Sequence, residues 1–172
     1  MSRAFLKNET ADDPVVIPAR APLPPGVTNY VTPRGLSLLR TELADLEAER
    51  LRLQTDEPDE TERTRQLALT NGKIAALNSR IASATVVHPH DHVDDPVVRF
   101  GATVTLTSRT GSATTRQLTI VGVDEADATQ GRIAFTAPLA RSMQGKRVGD
   151  TITLRSPRGN EEFEIQSLSF TA

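Results

Sequence analysis

Apolar residues recur at Leu36, Leu39, Leu43, Leu46 and Leu53, with Arg50 filling the remaining register position. The spacing alternates between three and four, which is the seam of a heptad repeat and predicts a helix that buries one stripe against another helix. Thr32-Pro33 marks its start: Thr as N-cap, Pro at the first helical position, where a missing N–H costs nothing. A polar break follows at Gln54-Thr55-Asp56-Glu57-Pro58-Asp59-Glu60, and a second seam then runs through Leu67, Thr70, Ile74, Leu77, Ile81 and Ala84. Two heptad helices joined by a short turn cover their stripes most simply against each other, as an antiparallel αα-hairpin. Asn71-Gly72 interrupts the second helix, at a propensity cost of about 1 kcal/mol, and makes that arm the weaker one.

Beyond a proline-bounded stretch, His88-Pro89-His90-Asp91-His92-Val93-Asp94-Asp95-Pro96, the period changes from 3.5 to two. Val98, Phe100, Ala102, Val104 and Leu106 alternate with polar neighbours, as a strand with one buried face requires. Gln117 to Val121, Arg132 to Thr136, Thr151 to Leu154 and Glu162 to Phe170 predict further strands. Pro138 to Met143 reads as a short helix ending at Gly145, and Pro157-Arg158-Gly159-Asn160 as a hairpin turn. The apolar phase slips between Ile165 and Leu168, which predicts a β-bulge. The fold class is α+β: a coiled-coil hairpin over 29–87, a linker over 88–96, and a small antiparallel β-rich domain over 97–172. Residues 1–28 carry scattered apolar positions and prolines (Pro14, Pro18, Pro24, Pro25) that break any period, so they read as a disordered or extended arm.

The charge balance narrows the function. A formal net charge of −2 gives no support to autonomous DNA binding through phosphates. With one Tyr, no Trp and aromatics at 3 %, a stacking platform for single strands is not expected. The absence of cysteine excludes a disulfide framework, a thiolate metal site and a cysteine nucleophile. No apolar run is long enough to cross a membrane, so the expectation is a cytoplasmic monomer without a membrane partner.

Three groups of residues could carry chemistry. His88, His90 and His92 could present imidazoles to a transition metal, but a linker lacks the supporting scaffold such a site needs, and a solvated linker is the reading adopted. Asp124, Glu125 and Asp127 could be a carboxylate cluster or ordinary loop acids. Asp56, Glu57, Asp59 and Glu60 crowd the hairpin turn, where Asp59 also reads as an N-cap with Glu62 closing a capping box. No Ser-His-Asp order, P-loop or dinucleotide fingerprint is present.

Four ordered motifs point to a family. Phe100-Gly101-Ala102-Thr103-Val104-Thr105-Leu106, then Ile120-Val121-Gly122-Val123-Asp124-Glu125-Ala126-Asp127, then Ala137-Pro138-Leu139-Ala140-Arg141, then Gly145-Lys146-Arg147-Val148-Gly149-Asp150 resemble successive segments of the GreA/GreB C-terminal domain. Val31-Thr32-Pro33-Arg34-Gly35-Leu36, with Leu39 and Glu42-Leu43, is similar to the start of the family's hairpin. The resemblance implies an FKBP-like C-terminal domain docked on bacterial RNA polymerase core at the secondary channel. Asp124, Glu125, Asp127, Pro138, Arg141, Lys146 and Arg147 would share that docking. It further implies a hairpin whose tip acids help hold Mg²⁺ of the polymerase active site during cleavage of backtracked transcripts, with only indirect contact to nascent RNA. The chain would need no cofactor of its own and would not itself be an enzyme.

The tip departs from the family pattern. The run resembling Gly-Asp-Leu-x-Glu-Asn-Ala-Glu-Tyr is missing, and Asp56, Glu57, Asp59 and Glu60 stand in its place. Thr32 to Val86 is about ten residues shorter than in a Gre factor, or about 8 Å per arm. A regulator that occupies the channel without stimulating cleavage is therefore the alternative function. Peptidyl-prolyl isomerase, suggested by the FKBP-like fold, is the remote one, because fold does not carry function and only Phe100, Phe135, Phe163 and Phe170 could line a proline pocket.

Overall fold

The computed structural model describes residues 14–92 and 94–170, with the backbone alone for His92. Residues 1–13 of the expected arm, Val93 of the linker and residues 171–172 lie outside the described residues. A three-residue strand β1 (Asn29–Val31) leads into α1 (Pro33–Asp56), a tight turn, α2 (Glu60–Ala82) and strand β2 (Ala84–Val86). Both helix starts follow the sequence reading: Thr32 Oγ1 accepts from the Gly35 N–H at 2.9 Å, and Asp59 accepts from the Glu62 N–H at 2.9 Å. The capping box is only half formed, because the Asp59 N–H donates to the Glu57 carboxylate at 3.2 Å and Glu62 instead takes a bond from Gln66.

The seams meet as their spacing requires. Leu39, Leu53, Thr70, Ile74 and Leu77 are buried, with Leu36, Leu43, Leu46 and Ile81 partly so. At 24 and 23 residues the two helices span about 36 Å and 34 Å. Their open end is fastened by β1 and β2, which pair in parallel, Asn29 opposite Ala84 through Val31 opposite Val86. The Asn29 amide closes the C-terminus of α2 by donating to the Arg80 carbonyl at 3.0 Å and Ser83 Oγ at 3.1 Å, where orphan carbonyls would otherwise face the protein interior. Strands this short leave no period in a sequence, and neither was expected.

The second unit is a five-stranded sheet in the order β5-β4-β3-β7-β6, comprising β3 (Thr103–Ser108), β4 (Thr115–Val121), β5 (Arg132–Ala134), β6 (Thr151–Ser156) and β7 (Gly159–Ser169). All its pairings are antiparallel except that of the short edge strand β5, which runs parallel to β4. The phase slip is a bulge as expected: Thr105 faces Ser167 and Leu106 faces Ile165, leaving Gln166 as the extra residue. Val104, Leu106, Leu118, Ile120, Ile152, Phe163 and Ile165 point to one face, where Ala140 and Met143 of α3 (Pro138–Met143) close the core.

The aromatic residues divide between core and junction. Phe163 and Phe170 lie in the core, while Phe100 and Phe135 pack against Tyr30 of β1 with ring centroids 5.6 to 5.8 Å apart. The hairpin base is thereby wedged onto the sheet.

Candidate functional site: the hairpin tip and the acidic junction

Five residues build the tip. Asp56 ends α1, Glu57 and Pro58 make the corner, Asp59 caps α2 and Glu60 is its first residue. Two of the four carboxylates have structural work: Asp59 holds the Glu62 N–H, and Glu57 holds the Asp59 N–H while its carbonyl takes a bond from Arg63. Asp56 and Glu60 are exposed, and among the described residues their carboxylates accept no hydrogen bond. The two differ electrostatically. Glu60 sits at a helix N-terminus, where the macrodipole favours an acid. Asp56 sits at the C-terminus of α1, whose last turn carries no basic residue, and there the dipole disfavours it by about 0.3–1 kcal/mol. Arg52, one turn back, pairs with Glu49 at 2.6 Å. That bond is the main reason its guanidinium pKa is raised, with smaller contributions from Glu57 and Asp56.

Within the Ile120–Asp127 motif, Asp124 and Glu125 are engaged inside the chain. Asp124 is buried under two guanidinium groups, Arg20 at 3.1 Å and Arg80 of α2 at 3.2 Å. Glu125 is also buried, its side chain 4 % exposed, accepting from Thr32 Oγ1 at 2.5 Å and from Arg34 at 3.0 Å. The first turn of α1 carries no acid of its own, so Glu125 supplies one from the other unit. Gly35 is required for this approach: a Cβ there would stand 2.8 Å from Glu125 Oε2. Gly122 is required likewise, since its Cβ would meet the Tyr30 carbonyl at 2.6 Å. Asp124 and Glu125 therefore clasp the hairpin base to the sheet, and their carboxylates are turned away from any outside partner.

The other expected docking residues are on the surface. Asp127 caps a 3₁₀ turn (Ala128–Gln130), accepting from the Thr129 hydroxyl at 2.6 Å and its N–H at 3.0 Å; the hydroxyl bond chiefly lowers its pKa. Pro138 and Arg141 lie exposed on α3. Lys146 and Arg147 lie exposed on the turn that follows, beside Val148, an apolar side chain 54 % exposed. His90 is exposed on a 3₁₀ turn (Pro89–His92) that Pro89 anchors against Gly101, and His88 is exposed just before it. Among the described residues no three His, Cys, Asp or Glu side chains gather as metal ligands would.

Sequence reasoning missed Arg20, Tyr30, Thr32 as a Glu125 partner, and Arg80. Arg80 carried a weak signal, a charge beside the last seam position of α2. Arg20 carried none, because nothing in a proline-interrupted arm marks a long-range contact.

Comparison with known proteins bears on both parts. Residues 93–170 match the family model for the transcription elongation factor GreA/GreB C-terminal domain. The chain is 47 % identical over 100 residues to GreA of Anaeromyxobacter sp. strain K, a match covering 58 % of each protein. It is 34 % identical over 155 residues to GreB of Neisseria meningitidis serogroup A, covering 83 % of this chain and 94 % of that one. Among solved structures it is similar to a GreA/GreB factor of Nitrosomonas europaea, at 20 % identity and a TM-score of 0.41 over 84 % of this chain and 99 % of that one. Thermus thermophilus GreA factor homolog 1 aligns at 20 % identity with a TM-score of 0.39, over 83 % of this chain and 99 % of that one. No helix among the described residues is long and apolar enough to cross a membrane.

Proposed function

The chain belongs to the GreA/GreB family of transcription elongation factors, and from that premise we propose that it binds bacterial RNA polymerase at the secondary channel and presents Asp56 to the polymerase active site. The observation that carries the second half is the free, dipole-opposed carboxylate of Asp56 at the end of a stiff rod about 36 Å long. Mg²⁺ is a hard cation that takes oxygen ligands, and the polymerase's own ion is the one in question. Asp56 would help hold that ion, which would supply Lewis-acid chemistry for hydrolysis of the transcript's phosphodiester bond. The chain contributes Asp56, with Glu60 beside it, and the rod that positions them; the hydrolysis belongs to the polymerase. As an accessory factor it works in the cytoplasm, where its partner is.

Docking falls to the exposed residues of the C-terminal unit: Asp127, Pro138, Arg141, Lys146 and Arg147, with Val148 as an apolar contact among charges. Reversing Lys146 and Arg147 to Glu weakens binding to polymerase core at least tenfold (about 1.4 kcal/mol) in an equilibrium titration. Unchanged affinity would move the interface elsewhere. The short hairpin favours a second reading, in which the factor occupies the channel without delivering a ligand. Native binding with no acceleration of transcript cleavage would select it.

A further inference from the structure

The described part of the N-terminal arm, 14–28, has no helix or strand, yet it is fastened at two points. Ile17 lies on Gly72 of α2, where an added Cβ would come within 1.9 Å of its Cδ1, so the glycine that weakens the helix serves as a socket. Residues 18–21 form one wall of a cleft of about 480 Å³ whose other walls include Glu42 and Lys73 of the hairpin and Val123 and Asp124 of the second unit. The Arg20 guanidinium forks onto Glu42 at 2.8 and 3.1 Å, and reaches Asp124 with Nη2 at 3.1 Å and Nε at 3.3 Å. The Ala21 carbonyl accepts from Arg80 at 2.6 Å.

We propose that residues 14–21 form a releasable strap: an arginine-bearing segment that bridges Glu42 of the hairpin to Asp124 of the C-terminal unit and, when seated, holds the hairpin at one angle to that unit. Two features give the strap leverage. The clasp of Glu125 on Thr32 and Arg34 is at the pivot, the first turn of α1. Glu42 lies nine residues beyond Pro33, about 14 Å along the rod, so Arg20 ties the hairpin down away from its pivot. Two others make it releasable. Glu42 is 45 % exposed in side chain, so the forked pair is screened by salt. When Arg20 leaves, Asp124 keeps Arg80, and opening strands no buried charge.

The chain contains no cysteine, so introduced pairs are unique labelling sites. Spin labels on Val16→Cys with Thr153→Cys report the strap, and on Thr61→Cys with Thr153→Cys the hairpin, in the full-length protein without polymerase. Pulsed-EPR distance distributions should be narrow for both pairs. They should broaden at least about twofold in Arg20→Ala, and less in Arg20→Lys, which cannot fork. Raising NaCl from about 0.05 to about 1 M should reproduce the Arg20→Ala change in the chain that keeps Arg20. A hairpin distribution of unchanged width in Arg20→Ala overturns the proposal, whether or not the strap itself moves, and so does insensitivity to salt. Neither result touches the polymerase reading, which these measurements do not involve.

Discussion

Replacing Glu125 by Ala should be among the most destabilising single changes in the chain, although Glu125 is a charged residue in a loop. In the native protein its Oε2 accepts from the Thr32 hydroxyl at 2.5 Å, and its other oxygen holds Arg34 at 3.0 Å. Truncation leaves the buried Thr32 hydroxyl without an acceptor, which costs about 1–3 kcal/mol. It also removes the negative charge from the N-terminus of α1, worth about 0.3–1 kcal/mol. The ion pair with Arg34 adds little, because Arg34 is 51 % exposed in side chain and solvent screens it. The expected loss is about 1.3–4 kcal/mol in urea-induced unfolding followed by far-UV circular dichroism, against less than about 1 kcal/mol for Arg34→Ala. Glu125→Gln, which keeps an acceptor and loses the charge, should fall between the two. If Glu125→Ala costs less than about 1 kcal/mol, or no more than Arg34→Ala, the clasp reasoning is refuted.

Two further outcomes follow from single positions. Gly72→Ala should raise the stability of α2 by up to about 1 kcal/mol through helix propensity, while displacing Ile17. Faster limited proteolysis within 14–20, together with a higher melting temperature, is the expected combination; unchanged proteolysis would mean that Ile17 has another seat. Asp127 has its folded pKa held below the ordinary 3.8, chiefly by the Thr129 hydroxyl. Its contribution is therefore complete above the unfolded pKa and is lost as pH falls through the lower, folded value. An NMR titration should show the Thr129 amide shifting only in that acid window, and Asp127→Asn should abolish the shift.

The sequence made the hairpin and the sheet legible because both depend on a sustained apolar period. Leu36 to Leu53 and Leu67 to Ile81 fix two helices, and the alternation through Val104 and Leu106 fixes a strand, although its start was expected at Val98 and β3 begins only at Thr103, after a turn at Phe100-Gly101. Even the β7 bulge showed as a phase slip between Ile165 and Leu168. Features resting on a single long-range contact were hidden. β1 and β2 are three residues each, too short for a period, and Arg20 finds Asp124 across 104 positions. Gly72 read as a weakness because propensity is local, whereas its use as a socket for Ile17 is tertiary. The acids of the candidate site were all visible, but their division of labour was not. Only geometry separates Asp59, which caps a helix, and Glu125, which clasps another, from Asp56, which does neither.

Transcript shortening on stalled, backtracked polymerase complexes tests the central claim most directly. The native chain should accelerate cleavage, and Asp56→Ala should remove that acceleration by a factor on the order of 10² without weakening binding. Asp59→Ala, which removes only a cap worth about 1 kcal/mol, should leave cleavage nearly intact. Native-rate cleavage by Asp56→Ala, or no acceleration by the native chain bound to the complex, would contradict the account.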